Sequence, residues 1–485
     1  MATCKLVIQD EVNIKLENLP VEVRRKIASA LKYDVPYARY MAQYKLGRWD
    51  GKVAFFGIGG TGYVNHLDKI VEILNSSGVE ITEIDDQREP VKLSFDKITE
   101  DFWGDTCWPK GHPAAGQPIK LRDYQVEVVN NFLENPQALQ QVSTGAGKTI
   151  ITATLSKLVE PYGRSLVVVP NKSLVVQTEE DYVNCGLDVG VYFGDRKELG
   201  RTHIICTWQS LNVLDKRNKN GDEILSLAEF LEGVSTVIID EVHQAKADVL
   251  KKLLTHNLKN APIRWGLTGT IPKEAYEFES IHASIGPVIG NITAKELQDK
   301  GVLANCHVNI CQLLDTQAFR DYQSELKYLV TNPDRIAYIA NLLNNVSQSG
   351  NTLVLVDRIS TGELLQEQIP DSVFVKGDVK LGERKEAYDD INTGYNKIVI
   401  ATYGVAAVGI NIPRIFNLVL IEPGKSFVRV IQSIGRGVRK SHDKDFVQIW
   451  DITSTCKYAK KHLTQRKKWY NDAQYPFSIE KIDWN

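Results

Sequence analysis

The stretch Gln141-Val-Ser-Thr-Gly-Ala-Gly-Lys-Thr-Ile150 reads as a phosphate cradle between a strand and a helix. Residues Ala138 to Val142 form a short strand pattern, and Thr149 to Val159 carries Ile150, Ile151, Leu155 and Leu158 at helical spacing. Between them, Ser143, Thr144, Gly145, Ala146 and Gly147 are small enough to let backbone N–H groups converge on an anion. The start of the helix adds the positive end of its dipole. Lys148 is placed to reach the β- and γ-phosphates of a nucleotide, and the Thr149 hydroxyl to hold Mg²⁺. Val142 stands where the strict phosphate-loop pattern asks for glycine, which weakens the pattern more than the chemistry.

A second signal completes the first. Thr236-Val-Ile-Ile-Asp-Glu-Val-His243 is an apolar strand ending in two carboxylates. Such a strand delivers Asp240 to the C-terminal edge of a sheet, where it can hold Mg²⁺ through water, while Glu241 can polarise an attacking water. Ahead of the loop, Leu121-Arg-Asp-Tyr-Gln125 offers the Gln125 amide, which can donate to and accept from an adenine edge. Gly266-Leu-Thr-Gly-Thr270 brings small hydroxyl residues after a strand, suited to linking a nucleotide site to a neighbouring surface. In Gln432-Ser-Ile-Gly-Arg-Gly-Val-Arg439, Arg436 and Arg439 lie three apart on one helix face. They are candidate arginine fingers for a γ-phosphate, or else a basic face turned to solvent or nucleic acid.

The 485 residues suit several domains. With 43% apolar and 24% charged residues the composition is that of an ordinary globular chain. A net charge of −2 provides no global field for nucleic acid, so any such contact must come from local basic surfaces. Seven cysteines with no C-x-x-C pair argue against a disulfide framework or a zinc ribbon and for a reducing compartment. Cys306 and Cys311 read as ordinary thiols. No signal-peptide pattern opens the chain, and no run of about 18 apolar residues suggests a membrane span.

In chain order, residues 1–103 read as a small α/β domain and 104–118 as a Pro/Gly-rich linker. Apolar strands then alternate with helices in two clusters, at 119–300 and 301–485, the sign of two parallel sheets covered by helices. The region from about Ile271 to Gln312 reads as helical and irregular. Within the first domain, Tyr33 to Lys52 interleaves Arg39, Lys45, Arg48 and Lys52 with Tyr37, Tyr40, Tyr44 and Trp49. That mixture suits phosphate contact and stacking at exposed bases, unless the aromatics are core and the cations a solvated face. Cys456 to Tyr470 reads as a basic helix bearing Lys457, Lys460, Lys461, Arg466, Lys467 and Lys468, either a phosphate-contacting face or a solvated one. Lys216 to Asp222 reads as a polar turn, either an ordinary surface turn or a strand-splitting loop.

From Leu121 to Arg439 the order of these signals resembles the superfamily 2 helicases and translocases. Gln125 falls on a Q-type motif, Ser143 to Thr149 on motif I, Val169-Pro170 with Gln177 on motif Ia and Asp240 to His243 on motif II. Thr268 to Thr270 falls on motif III, Thr402 to Asn411 on motif V and Gln432 to Arg439 on motif VI. The resemblance implies two tandem RecA-like domains that bind ATP and Mg²⁺ and grip nucleic acid. It places Arg122, Gly409 and Gln432 with the nucleotide, and His243, Thr268, Gly269 and Thr270 in coupling. Pro170, Thr207 and Thr402 fall with the sugar-phosphate backbone. A closer resemblance, to phage-encoded branch-migration helicases of the UvsW type, rests on Gly47-Arg-Trp-Asp-Gly51, Cys206-Thr-Trp-Gln-Ser210, Ala401-Thr-Tyr-Gly404 and Trp450-Asp-Ile452. It implies an N-terminal domain that contacts DNA through Arg48 and Trp49. Duplex, forked or junction DNA is then the expected partner, in recombination, repair and replication, within the cytoplasm of a bacterial host. The alternatives are an RNA helicase and a non-catalytic DNA-binding protein built on the same fold.

Overall fold

The computed structural model describes residues 2–110, 114–220, 225–244, 247–377, 391–407, 412 and 414–484. The chain divides into two compact units, residues 1–142 with 147–291, and residues 143–146 with 292–485.

The first unit opens with six short strands, β1 (Ala2–Ile8), β2 (Asn13–Glu17), β3 (Lys32–Asp34), β4 (Lys52–Ala54), β5 (Thr61–Tyr63) and β6 (Val79–Asp86). Among the described residues, four of them form a sheet in the order β5-β2-β1-β6, with β1 and β6 parallel and the other pairs antiparallel. Leu6, Ile14 and Leu16 alternate inward on β1 and β2 and pack with Ile27 of the helix Val21–Ala30 and Ile70 and Leu74 of the helix Leu67–Ser76. β3 and β4 make a separate antiparallel ribbon whose ends carry the aromatic-rich segment between them. In that segment Gly51 has φ +79°, and a Cβ there would meet the Tyr44 ring at 2.9 Å, so glycine is required on two grounds.

The second sheet comprises β7 (Gln137–Val142), β8 (Arg164–Val169), β9 (Val189–Phe193), β10 (Arg196–Lys197), β11 (His203–Thr207), β12 (Val234–Asp240), β13 (Ile263–Thr268) and β14 (Val288–Ile292), in the order β10-β9-β11-β8-β12-β13-β7-β14. The pairings from β9 to β7 are parallel, and β10 turns back on β9 as a hairpin. Val167, Val168, Ile204, Ile205, Ile238 and Ile239 are buried, as continuous apolar runs must be when helices cover both faces. Arg264, fully buried on β13, donates to the carbonyls of Ser284, Leu258 and Leu254 and so ties two helix ends to the sheet.

The N-terminal sheet is fixed to this layer by polar and apolar contacts together. Glu11 N–H donates to the Lys259 carbonyl, Asn13 Nδ2 to the Thr255 carbonyl, and Gln137 Nε2 to the Glu11 carbonyl. Tyr276 and Ala283 of the helix Ala275–Ile285 belong to the same apolar cluster as Phe55 and Ile70. Residues after β6 run along the second sheet's layer rather than away from it: Ile98 pairs with Asn130, and Trp103 Nε1 donates to Thr154 Oγ1.

The second unit is a parallel sheet of β15 (Asn305–Leu313), β16 (Thr352–Val356), β17 (Val373–Val375), β18 (Ile398–Thr402), β19 (Asn417–Ile421), β20 (Phe446–Ser454) and β21 (Phe477–Ile482), ordered β17-β18-β16-β19-β20-β15-β21. The architecture is thus two parallel α/β sheets in tandem behind a small α/β domain. Among the described residues, no helix is long and apolar enough to cross a membrane.

Three local expectations change. The span from Ile271 to Gln312 contains a nine-residue strand, β15, lying between β20 and β21. Lys216 and Arg217 belong to the helix Trp208–Asn220, not to a turn. The basic helix forms at Lys457–Asp472, but Arg466 is not on its solvated face. It is fully buried and forks onto Asp451, with Nε–Oδ2 at 2.8 Å and Nη2–Oδ1 at 2.9 Å, while Tyr470 donates to the same carboxylate at 2.7 Å. Arg466→Ala would strand a buried carboxylate. We expect it to destabilise the second unit by about 3–5 kcal/mol, read as a lower urea midpoint for that unit's transition, with Lys460→Ala on the exposed face as the near-neutral control.

Candidate functional site

The C-terminal ends of β7, β12 and β13 lie side by side, with Asp240 level with Leu267 and Gln141 level with Thr268. The small loop after β7 leads into the helix Lys148–Val159, whose N-cap is Gly147. Gly147 has φ +79°, and a Cβ on it would meet the Gln125 side-chain nitrogen at 2.7 Å. Only glycine fits there. Gln125 accepts the Arg122 N–H through Oε1 at 2.9 Å, so its carbonyl caps its own helix while its amide nitrogen borders the loop.

Lys148 is buried, and its ammonium lies 2.8 Å from Glu241 Oε1 and 3.4 Å from the Val142 carbonyl. Burial by itself would raise the Glu241 carboxyl. Lys148 and then His243 outweigh that and hold it well below the usual carboxylate range. Glu241 has φ +52°, a left-handed conformation that costs a non-glycine residue about 1–3 kcal/mol and is typical of sites where geometry matters more than stability. Its neighbour Asp240 accepts the Glu241 N–H at 2.9 Å. These carboxylates stand at one sheet edge with the lysine between them and the helix start.

From the same edge a polar chain runs outward. Gly269 N–H donates to Glu241 Oε2 at 3.2 Å, His243 Nδ1 lies 2.6 Å from Thr268 Oγ1, and Thr268 Oγ1 donates to the Thr270 carbonyl at 2.7 Å. Of the four residues expected to couple, His243, Thr268 and Thr270 are hydrogen-bonded in series, and Gly269 is bonded to Glu241, whose Oε2 lies 3.6 Å from His243 Nδ1. Sequence reasoning missed Asp181, on the helix Lys172–Asn184, whose carboxyl hydrogen-bonds Thr149 and is pushed up to about 6 by burial and by Glu180. A hydroxyl that donates to Asp181 keeps its oxygen lone pairs for a cation. No motif marks Asp181, because its role depends on two helices packing.

Pro170 and Thr207 line one groove of about 460 Å³, together with Lys172, Tyr192, Lys197 and Arg217. Thr207 Oγ1 accepts the Ser210 N–H, and Gln209 Nε2 donates to the Pro170 carbonyl, so the two loops brace each other. Lys172 and Lys197 were not singled out in the sequence, and Arg217 fell within the span read as a polar turn. Lys172 follows Pro170 by two residues and was legible there, whereas Lys197 reaches the groove only through the β9–β10 hairpin. Thr402 ends β18 and its hydroxyl accepts the Val405 N–H.

On the N-terminal ribbon, Tyr40 is 66% exposed and Tyr44 43%, and Arg39 stacks over the Tyr40 ring at 4.8 Å. Arg48 is exposed as well. Trp49 is different: its ring packs against the domain core and its indole N–H is taken by the Lys52 carbonyl. It braces the segment from which the tyrosines project.

Arg436 and Gln432 lie on the helix Phe427–Gly437, with Arg439 half-buried just beyond it. Gly409 and Asn411 fall outside the described residues, as do the side chains of Gln432 and Arg436.

Residues 118–273 match the type III restriction enzyme res-subunit family, and residues 334–441 match the helicase conserved C-terminal domain. The chain is 23% identical over 456 residues to the ATP-dependent DNA helicase uvsW of Enterobacteria phage T4, covering 89% of this chain and 87% of that protein. It is 24% identical to the DNA 3'-5' helicase XPB of Kineococcus radiotolerans, across 75% of this chain and 65% of the relative's length. Among solved structures, the ATP-dependent type ISP restriction-modification enzyme LlaBIII bound to DNA superposes with a TM-score of 0.55 at 14% identity, covering 87% of this chain and 34% of that one, a likeness of fold. With both domain matches in series on two tandem parallel sheets, the chain belongs to the superfamily 2 helicases, which are ATP-hydrolysing motors.

Proposed function

We propose that this motor moves along DNA, acting on duplex, forked or junction substrates in recombination and repair, inside the cell where such DNA is found. The observation that carries the reading is the buried Lys148–Glu241 pair at the sheet edge, joined to the His243–Thr268–Thr270 chain. ATP supplies the phosphoanhydride bond whose hydrolysis releases the free energy for movement. Lys148 holds its β- and γ-phosphates, the N–H groups from Ser143 to Gly147 surround them, and Gln125 with Arg122 meets the base. Thr149 and Asp240 would hold Mg²⁺, which would neutralise charge on the phosphates as it develops. Once Lys148 is engaged by phosphate, the Glu241 carboxylate is released to orient the attacking water. Arg436 and Arg439 are the residues of the second domain proposed to stabilise the charge that develops on the γ-phosphate, and Gly409 and Gln432 are its further proposed nucleotide contacts. Thr268, Gly269 and Thr270 relay the state of Glu241 and His243 outward.

The groove of Pro170 and Thr207 suits a phosphodiester backbone, because Lys172, Lys197 and Arg217 supply charge without reading bases. Thr402 supplies the corresponding grip on the second unit. Residues 1–103 act as the substrate-sensing domain, in which Arg48, Arg39 and Lys45 meet phosphates and Tyr40 and Tyr44 stack on bases exposed at a junction. Trp49 serves that contact as a brace. The names of the uvsW and XPB relatives, both DNA helicases, support DNA over RNA.

Two sets of experiments test this. Lys148→Ala should lower nucleic-acid-stimulated ATP turnover roughly 100-fold or more, and Glu241→Gln should bind ATP and release product at a comparably reduced rate. Retained turnover in Lys148→Ala would remove the site assignment. Steady-state ATPase should then be compared with no nucleic acid, single-stranded DNA, linear duplex, a four-way junction and structured RNA at one fixed salt concentration. Greatest stimulation by the junction supports the proposal, and equal or greater stimulation by RNA overturns the choice of DNA. Tyr40→Ala should weaken junction binding by about 1–3 kcal/mol, measured by fluorescence anisotropy, and weaken binding to linear duplex less.

A further inference from the structure

Where the N-terminal sheet meets the second sheet's layer, His66, Glu279 and His282 converge with one ligand-capable atom each within 4.8 Å of the others. None of them belongs to the nucleotide site or to the DNA-contacting surfaces. His66 is fully buried at the start of the helix Leu67–Ser76, and Glu279 and His282 sit three apart on one face of the helix Ala275–Ile285. His66 Nε2 lies 2.9 Å from Glu279 Oε2, and His282 Nδ1 lies 3.6 Å from the same oxygen. The other carboxylate oxygen, Oε1, is held by Lys69 at 2.7 Å and by the Tyr33 hydroxyl at 3.1 Å. Oε2 is thereby turned toward the two imidazoles.

We propose that His66, Glu279 and His282 form a zinc-type divalent cation site that clamps the N-terminal domain to the first motor domain. Three features carry this. First, the donor set of two imidazoles and one carboxylate suits zinc, and the fourth position is left to water. Second, the spacing fits: zinc bonded to nitrogen and oxygen near 2.1 Å places tetrahedral ligands about 3.3 Å apart, between the two separations found here. Third, His282 Nδ1, the atom turned toward Glu279 Oε2, is buried and makes no hydrogen bond among the described residues. Buried polar atoms are ordinarily satisfied, and His282 Nδ1 faces the shared oxygen across a gap too long for a hydrogen bond and suited to a bridging ion.

The surroundings agree with that assignment. Lys69 and Tyr33 orient the carboxylate from outside, as partners of metal ligands commonly do, and the Lys69 side chain is 46% exposed, so water screens its charge. Phe55 and Tyr63 pack edge-on against the His66 ring, and Phe278 stacks on His282.

The test uses the full-length protein, stripped with EDTA, loaded with excess ZnCl2, desalted and assayed for metal by mass spectrometry. Wild type should retain about one zinc per chain, and its thermal midpoint should rise with zinc. Cobalt in place of zinc should give visible d–d absorption of a nitrogen- and oxygen-ligated ion. His282→Ala, at a partly exposed position that should not disturb folding, should lose both the retained metal and the thermal response, with circular dichroism confirming the fold. Tyr33→Phe should retain metal with affinity about 10-fold lower. Wild type emerging metal-free from desalting would overturn the proposal. So would His282→Ala retaining as much zinc as wild type.

Discussion

The ion pair of Lys148 and Glu241 is the constraint from which the rest of the motor site follows. Two opposite charges share one buried place, and removing either would leave the other without compensation at a cost of several kcal/mol. Neither group can hold its position alone, so the sheet must deliver both. The strand β12 brings Glu241 to the edge and then turns it through a left-handed backbone, while the helix Lys148–Val159 begins at the lysine itself. A triphosphate offers Lys148 another anionic partner in the same space. In the role proposed for this pair, nucleotide binding would exchange one ion pair for another and free a carboxylate beside the reacting phosphate, a change that the Gly269 N–H and the His243–Thr268 contact would register.

The second unit solves a similar problem differently. Arg335 reaches Glu422 at 2.9 Å and lies 3.4 Å from Asp315, while Arg466 forks onto Asp451, all of them buried. Asp315 and Glu422 lie just past the ends of β15 and β19 and Asp451 lies within β20, so these pairs tie neighbouring strands to one another and to the helix Lys457–Asp472. Arginine suits this work because its planar fork satisfies a carboxylate with two hydrogen bonds at once and still has donors for carbonyls such as that of Gly424. Glu422 is pushed up to about 7 by burial, even with Arg335 and Arg466 opposing, which shows how little solvent reaches the network.

How much of this was legible depended on whether a feature is local in the chain. The cradle from Ser143 to Thr149, the strand ending at Asp240 and the tandem parallel sheets each have signatures within about ten residues, because buried parallel strands must be apolar throughout and phosphate loops must be small. Interactions between distant segments left no such mark. Arg466 reads as one of six cations on a basic helix, and only the fold reveals Asp451 waiting beneath it. Asp181 carries no mark in the sequence, and only the packing of two helices brings it to Thr149. β15 escaped because Asn305, His307, Asn309 and Gln312 break its apolar run: Asn305 is exposed, His307 and Asn309 are half-buried, and Gln312, although buried, donates to the Ser454 carbonyl. The exposed tyrosines are the reverse case: composition alone left core and surface readings open, and the exposure of Tyr40 decides for the surface.

The placement of those tyrosines has a mechanical consequence. Tyr33 belongs to β3, one root of the ribbon that carries Tyr40 and Tyr44, and its hydroxyl is bonded to Glu279. Glu279 lies on the helix that follows the Thr268–Thr270 segment in the chain, and Tyr276 of that helix is buried in the N-terminal core. The ribbon is therefore rooted on the same packed body as the motif that contacts Glu241. A flexibly tethered domain would contribute only local concentration to substrate capture. A domain seated by Glu11, Asn13, Gln137 and Glu279 instead holds its aromatic arm at a fixed offset from the groove of Pro170 and Thr207, since both belong to one unit. If the two surfaces have the roles proposed above, substrate geometry would be read as a distance: a branched DNA that fits both would gain both sets of contacts, whereas a straight duplex that reaches only the groove would gain one.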